Sequence, residues 1–256
     1  MATRAMSASR RERETAGTLS ARMMDVMGAR IVSGAFKVGA SLPPEFALCE
    51  QYGLSRTPLR EAMKKLHAKG LVAMAPKSGT RVLPESNWNQ LDPDVLRWRF
   101  EYGADEWLLK QLQELRAAFE PEACRLAALN GSAEEHAAIS HALARLAAAY
   151  PDPHGMVDPD VEFHMAIVAS TRNVFLASIG SALRIALRLQ FKLAAERKKF
   201  PARELEAHRS ICAAILERDG EGAANHMKTL IAQSRASLAK VLRARTKPPV
   251  PRTVRR

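Results

Sequence analysis

Three residues in the second half of the chain have the types and spacing for metal chemistry: Asp160, His164 and His208. Asp160 and His164 are four apart, so on a helix a carboxylate and an imidazole project from one face, one turn apart. Such a pair can grip one divalent cation, with zinc, manganese and nickel the candidates. The same D-x-x-x-H spacing also describes an ordinary hydrogen bond along a helix surface, and His208 must arrive from another helix to complete a site. His67, His136, His141 and His154 have no such company and are expected at the surface. Arg184 and Arg188 are also four apart, beside the apolar residues Leu183, Leu187 and Phe191. An arginine next to an apolar face needs a partner. Either an acidic ligand or a carboxylate from a neighbouring helix can supply it.

A second constellation lies nearer the N-terminus, in Ser55-Arg56-Thr57-Pro58-Leu59-Arg60-Glu61-Ala62-Met63. Helical spacing puts Arg56 and Arg60 on one face and Leu59, Met63 and Leu66 on the other. The arginine fork suits guanine edges and phosphates, and Ser55 and Thr57 can add phosphate contacts at a helix N-terminus. The bland alternative is a solvated basic face on an ordinary helix.

These residues need elements to hold them. The apolar stripe Leu19, Met23, Val26, Met27, Arg30, Ile31 predicts a helix from about Thr18 to Ser33, ended by Gly34. Pro43-Pro44-Glu45 starts a second helix that Gly53 stops. Ser55 caps a third, with Pro58 in its first turn and Gly70 at its end. Leu71–Ala75 and Thr80–Leu83 read as two short strands around Pro76-Lys77-Ser78-Gly79. Helix, helix, helix, hairpin is the order of a winged helix-turn-helix. From Asp105 to about Arg243 the pattern is helical, broken at Asn130-Gly131, Pro151–Gly155, Thr171–Asn173, Phe200-Pro201 and Asp219–Gly222. Six helices suffice for a bundle with an internal cavity.

The expected organisation is therefore mainly α. Residues 1–15 are a disordered N-terminus, and 16–83 form a winged helix-turn-helix. Residues 84–104 are a linker, 105–243 an all-helical ligand-binding bundle, and 244–256 a disordered basic tail. Charge follows this division: net +8 over residues 1–83, −2 over 84–242 and +6 over 243–256. A basic first third beside a near-neutral body suits a nucleic-acid module joined to one that binds something else. Three widely spaced cysteines, Cys49, Cys124 and Cys212, read as small buried hydrophobes of a reducing cytoplasm. The N-terminus lacks a signal-peptide core, and no unbroken apolar run reaches membrane-spanning length.

The stretch Gly39…Leu42-Pro43-Pro44-Glu45…Leu48…Tyr52-Gly53-Leu54-Ser55-Arg56-Thr57-Pro58-Leu59-Arg60-Glu61-Ala62, then Gly70-Leu71-Val72 and Gly79-Thr80-Arg81-Val82, resembles the DNA-binding domain of GntR-type regulators. The resemblance implies operator contacts from Ser55, Arg56, Thr57 and Arg60, and from the wing tip around Lys77. Phe46 departs from it, standing where many members place an arginine that reaches DNA. Leu115-Arg116…Phe119-Glu120-Pro121, Asp160-Val-Glu-Phe-His164, Asn173 and Glu206-Ala-His208 resemble the FCD ligand-binding domain of the FadR subfamily. That resemblance implies effector contacts from Arg116, Asp160, His164, Asn173 and His208, to which the Arg184–Arg188 spacing adds Arg188. It also implies a metal held by Asp160, His164 and His208. Metal-binding members usually supply a third histidine where Leu230 stands here, and His226 lies one turn earlier. The run Trp88-Asn89-Gln90-Leu91-Asp92-Pro93-Asp94-Val95-Leu96-Arg97-Trp98 resembles that of galactonate-operon repressors and their sugar-acid-sensing relatives. An alternative role for its two tryptophans is to anchor the linker.

The expectation is a DNA-binding transcriptional regulator: a homodimeric repressor on double-stranded operator DNA, released by a small acidic effector. Two alternatives are a metal-dependent helical enzyme built on Asp160, His164 and His208, and a general nucleic-acid-compacting protein. The first finds no HExxH, Walker loop or Cys/His nucleophile pair to support it. The second rests on charge alone. Within the regulator reading, another carboxylate or an acyl-CoA could be the effector.

Overall fold

The structure is a computed structural model that describes residues 2–75, 79–103, 106–196 and 202–244. The chain divides into two compact units, with the boundary along the sequence after Gly103.

In the first unit, helix α1 spans Ala2–Val32 and buries Met23, Val26, Met27 and Ile31, the stripe legible in sequence. It begins at Ala2, not near Thr18, so residues 2–15 are helical where disorder is expected. No Pro interrupts them, and Ala, Arg and Glu propagate a helix well. Helix α2, Glu45–Tyr52, ends at Gly53, whose φ of 63° is the left-handed conformation glycine adopts without strain. Helix α3, Arg56–Ala68, buries Leu59, Ala62, Met63 and Leu66. Strands β1, Val72–Ala75, and β2, Gly79–Val82, pair antiparallel with Val72 opposite Val82 and Ala75 opposite Gly79. That hairpin is the wing.

Residues 84–104 differ most from expectation. The segment is not a bare linker: it folds onto the first unit through a 3-10 turn, Glu85–Asn87, helix α4, Pro93–Trp98, and a π-helical turn, Arg99–Gly103. Trp88, Val95 and Trp98 join the core made by α1 and α3. Two tryptophans and a valine are too much apolar area to leave in water. Asp92 caps α4 by accepting from the Asp94 and Val95 amides. Lys69, at the end of α3, lies 2.8 Å from both the Asp92 and the Asp94 carboxylates.

The second unit holds six helices among the described residues: α5, Glu106–Asn130; α6, Ala133–Ala149; α7, Val157–Ala169; α8, Val174–Ala195; α9, Ala202–Leu216; and α10, Gly220–Ala244. Helix α5 packs against α7, α9 and α10, and α7 bridges to α6 and α8. Helix α8 is the one described helix long and apolar enough to cross a membrane by length and composition. It carries Arg184 and Arg188, and it buries Leu183, Leu187 and Phe191 against its neighbours. The sides of α5, α7, α8 and α9 that face one another carry the charged residues described next.

Candidate functional site

The residues expected to read DNA lie on α3 and at its N-terminus. Ser55 occupies the N-cap position with extended backbone, but its side chain makes no capping hydrogen bond. Ser55, Arg56, Thr57 and Arg60 are exposed along the first turns, opposite the buried Leu59–Met63–Leu66 edge. The helix N-terminus, with its unpaired amides, is thus presented beside two guanidinium groups. The Arg60 Nε lies 3.0 Å from a Glu45 carboxylate oxygen, an exposed pair. Phe46 is largely exposed on α2. Lys77, at the wing tip, lies outside the described residues.

In the second unit, α5, α7, α8, α9 and α10 converge on a cavity of about 30 Å³, lined by Arg116, Asp160, His164, Phe191, Glu204 and His208 among others. A chain of buried charges runs through it. The Arg116 Nε and Nη2 donate to the two Glu120 oxygens at 2.6 and 3.1 Å. The Nδ1 of His164 lies 2.9 Å from the second of those oxygens, in ion-pair range but off the line of a directed hydrogen bond. On the other side of the ring its Nε2 is 3.4 Å from Asp160 Oδ1. The same oxygen is 3.0 Å from the Nε2 of His208. The Nδ1 of His208 is 2.6 Å from the Glu204 carbonyl oxygen. The guanidinium of Arg116 lies over the Phe191 ring, 5.2 Å from its centroid.

The electrostatics follow from burial and pairing. Burial pushes the Glu120 carboxyl up, but Arg116 and then His164 outweigh it and hold it down to about 2. For Asp160 burial again opposes charge, and His208 with His164 keep it well below the usual carboxylate range. Burial would lower His164. The Glu120 and Asp160 carboxylates overcome that and push it up to about 9.

Asp160, His164 and His208 form a possible metal-binding cluster, with ligand atoms all within 4.8 Å of one another. The residues fit a divalent cation. Both Nε2 atoms face one carboxylate oxygen, and each Nδ1 is turned to an outer acceptor, as second-shell partners orient metal-binding histidines. Both ring nitrogens of His164 are buried and meet only carboxylates, Nδ1 Glu120 and Nε2 Asp160, neither in the line of a directed hydrogen bond.

Several expected residues lie elsewhere. Arg188 is not in the cavity: its side chain is 62% exposed and its Nε is 2.7 Å from an Asp158 oxygen, so a neighbouring carboxylate supplies its partner. Arg184 is exposed as well. Asn173 is not in the lining either; it caps α8, accepting from the Phe175 and Leu176 amides. His226 points to solvent, whereas Leu230 lines the cavity. His136 is buried, not superficial, and its Nε2 is 2.9 Å from the Ala127 carbonyl oxygen. Sequence reasoning assigned no role to Glu120 or Glu204. Glu120 was detectable as the i+4 partner of Arg116. Glu204 acts through its backbone oxygen, for which no side-chain pattern exists.

Comparison with known proteins bears on both units. Residues 19–82 match the family of bacterial regulatory proteins, gntR family, and residues 111–233 match the FCD domain. The Escherichia coli galactonate operon transcriptional repressor is 32% identical over 222 residues, 86% of this chain and 96% of that protein. The uncharacterised E. coli regulator YieP is 34% identical over 215 residues, 83% of this chain and 92% of its own. The solved structure of Lar, from Listeria monocytogenes, is 18% identical, with a TM-score of 0.60 over 86% of this chain and 96% of that one, and shares the fold. These matches are to regulators, and they set the metal-enzyme alternative aside. An exposed helix of a winged helix-turn-helix in one unit and a cavity lined by buried charged groups in the other are the two parts such a regulator needs, and the chain belongs to the GntR family of DNA-binding transcriptional regulators, with an FCD effector-binding domain of the FadR type.

Proposed function

We propose that this regulator is a cytoplasmic repressor of a catabolic operon. It binds an inverted-repeat operator as a homodimer and leaves it when a small acidic metabolite occupies the second unit. The observation that carries this reading is the convergence of Arg116, Asp160, His164 and His208 on one buried cavity, in the unit that does not hold α3. A sugar acid suits those groups: a cation for its carboxylate, and imidazole and carboxylate acceptors and donors for its hydroxyls. Similarity to a galactonate operon repressor and the Trp88–Trp98 run favour a hexonate such as galactonate. The enclosed part of the cavity is about 30 Å³, less than a hexonate fills, so a hexonate would select a more opened form of the bundle. That difference between closed and opened forms is what a ligand can couple to DNA release, at a few kcal/mol of differential affinity.

One divalent ion, zinc, manganese or nickel, would be held by Asp160, His164 and His208. Bound there it would act as a Lewis acid, offering open positions to a carboxylate or hydroxyl oxygen, since Leu230 brings no further donor. Around it, Glu120 and the Glu204 carbonyl orient the two imidazoles and Arg116 neutralises Glu120. A panel of hexonates, uronates, hydroxy acids and acyl-CoAs, read by thermal shift and by release of operator DNA, tests the effector class. A hexonate is expected to stabilise the protein and free DNA; release by an acyl-CoA alone rejects the class. Chelation is expected to lower Tm, and His164→Ala to abolish that sensitivity. Absence of stoichiometric metal, with no thermal shift on adding zinc, manganese or nickel, would mean that the histidines meet the effector directly.

A further inference from the structure

Two buried glutamines on helices that line this cavity, α5 and α8, have no hydrogen-bond partner. Gln113 is 3% exposed and Gln190 is wholly buried, yet neither the Oε1 nor the Nε2 of either side chain has a hydrogen-bond partner. The Nη1 of Arg116 is orphaned in the same way, its Nε and Nη2 being committed to Glu120. Native interiors seldom leave buried polar groups unmade, because the amide loses its hydration and regains nothing. Two full carboxamides and a guanidinium nitrogen in one neighbourhood therefore call for a missing partner.

Their positions define where that partner sits. Gln113, Arg116 and Glu120 follow the i, i+3, i+7 spacing of one face of α5. Gln190 directly precedes Phe191, over whose ring the Arg116 guanidinium lies, and stands one turn from Ala194, which lines the cavity. Both glutamines are thus within a turn of the Arg116–Phe191 contact. Neither lines the cavity in its closed form. A ligand that outgrows the enclosed part of the cavity would press on the walls near them.

We infer that Gln113 and Gln190 are specificity-determining residues of the effector site, and that they bind the hydroxyl groups of a polyhydroxylated carboxylate whose acid group meets Arg116. This rests on the acidic-effector reading above and adds the recognition of the rest of the molecule. A carboxamide donates and accepts, as a hydroxyl does, so the two are matched in a way that a hydrocarbon chain is not. A site built on such hydrogen bonds rejects an analogue lacking the hydroxyl, because its own polar groups are then left unpaired.

The test uses Gln113→Leu and Gln190→Leu in the full chain, with galactonate, gluconate and mannonate as probes and hexanoate and deoxy-hexonates as analogues. Calorimetric titration measures affinity, and thermal melts without ligand measure folding. For wild type, at least a tenfold preference for one hexonate over its deoxy analogue is expected. Each variant should melt at or above the wild-type temperature without ligand, bind operator DNA and shift with zinc as wild type does, and bind the hexonate at least tenfold more weakly. Its preference over the deoxy analogue should collapse. If wild type binds a hexonate and both variants keep its affinity and discrimination, the inference is overturned while the acidic-effector reading stands. Variants that melt lower without ligand would also overturn it, since the glutamines would then be serving the fold. If wild type binds none of the sugar acids, the inference and the reading beneath it fall together.

Discussion

Single side chains divide here into those exposed along the first turns of α3 and those locked into the buried charge chain. The exposed Arg60–Glu45 pair is worth about 0–1 kcal/mol, so Arg60 can leave it for a base edge or phosphate at little cost. Arg56→Ala and Arg60→Ala are each expected to weaken specific operator binding by about 1–3 kcal/mol, leaving folding and ligand binding unchanged. A gel-shift titration measures this, and wild-type affinity in both variants would refute the assignment. His164 sets a pH dependence. Its imidazolium is held to about 9 against an ordinary 6.5, so its stabilising contribution is complete below pH 6.5 and is lost as pH rises through 9. Glu120, ordinarily at 4.5 and held at about 2, contributes above pH 4.5 and loses that contribution as pH falls toward 2. In chelator, Tm should therefore fall from pH 7 to 9, and His164→Gln should flatten that arm; a wild-type Tm level across the window would show His164 uncharged. A metal must displace the same proton, so the thermal shift from zinc should grow over this range.

Elements in the first unit are held by close backbone approaches that tolerate little change. A Cβ at Gly28 of α1 would stand 2.5 Å from the Trp98 ring, so only glycine lets α4 lie against α1. Gly28→Val is expected to destabilise the DNA-binding unit by about 1–3 kcal/mol through overpacking, measured by denaturant unfolding. Gly70 combines a φ of +77° with a backbone oxygen, that of Asn87, 2.1 Å from where its Cβ would be. Gly70→Ala should likewise cost stability and loosen the 84–104 segment, which hydrogen exchange at Trp88 would report. That segment was legible only in part. Its Pro and Asn residues read as a linker, while the burial of Trp88 and Trp98 depends on partners from α1 and α3, distant in sequence. The capping pattern around α2 and α3 was legible because Gly53, Pro58 and Gly70 act within one turn of themselves.

For the whole molecule, the winged helix-turn-helix implies a dyad. The operator is expected to be a short inverted repeat protected by two chains, with mass measurement of the complex giving two protomers per site. A footprint without a dyad, or one chain per site, would contradict the homodimer. Coupling between units is tested by Arg116→Ala, which should keep operator affinity and lose release by a hexonate. The recognition helix and its wing were determined by the sequence alone, because Gly39 to Val82 is contiguous and each residue's role follows from local spacing. The bundle's helix breaks and the Asp160–His164 pair were legible for the same reason. The cavity was not. Asp160 and His208 are 48 residues apart and meet only when α7 and α9 both pack on α5 and α6. The phase of α8, set by burying Leu187 and Phe191, turns Arg188 out to Asp158. Arg116, on the inward face of α5, is instead locked to Glu120. Helical spacing says which side chains share a face; only the packing of several helices decides which faces look inward, and therefore which charges must find partners without water.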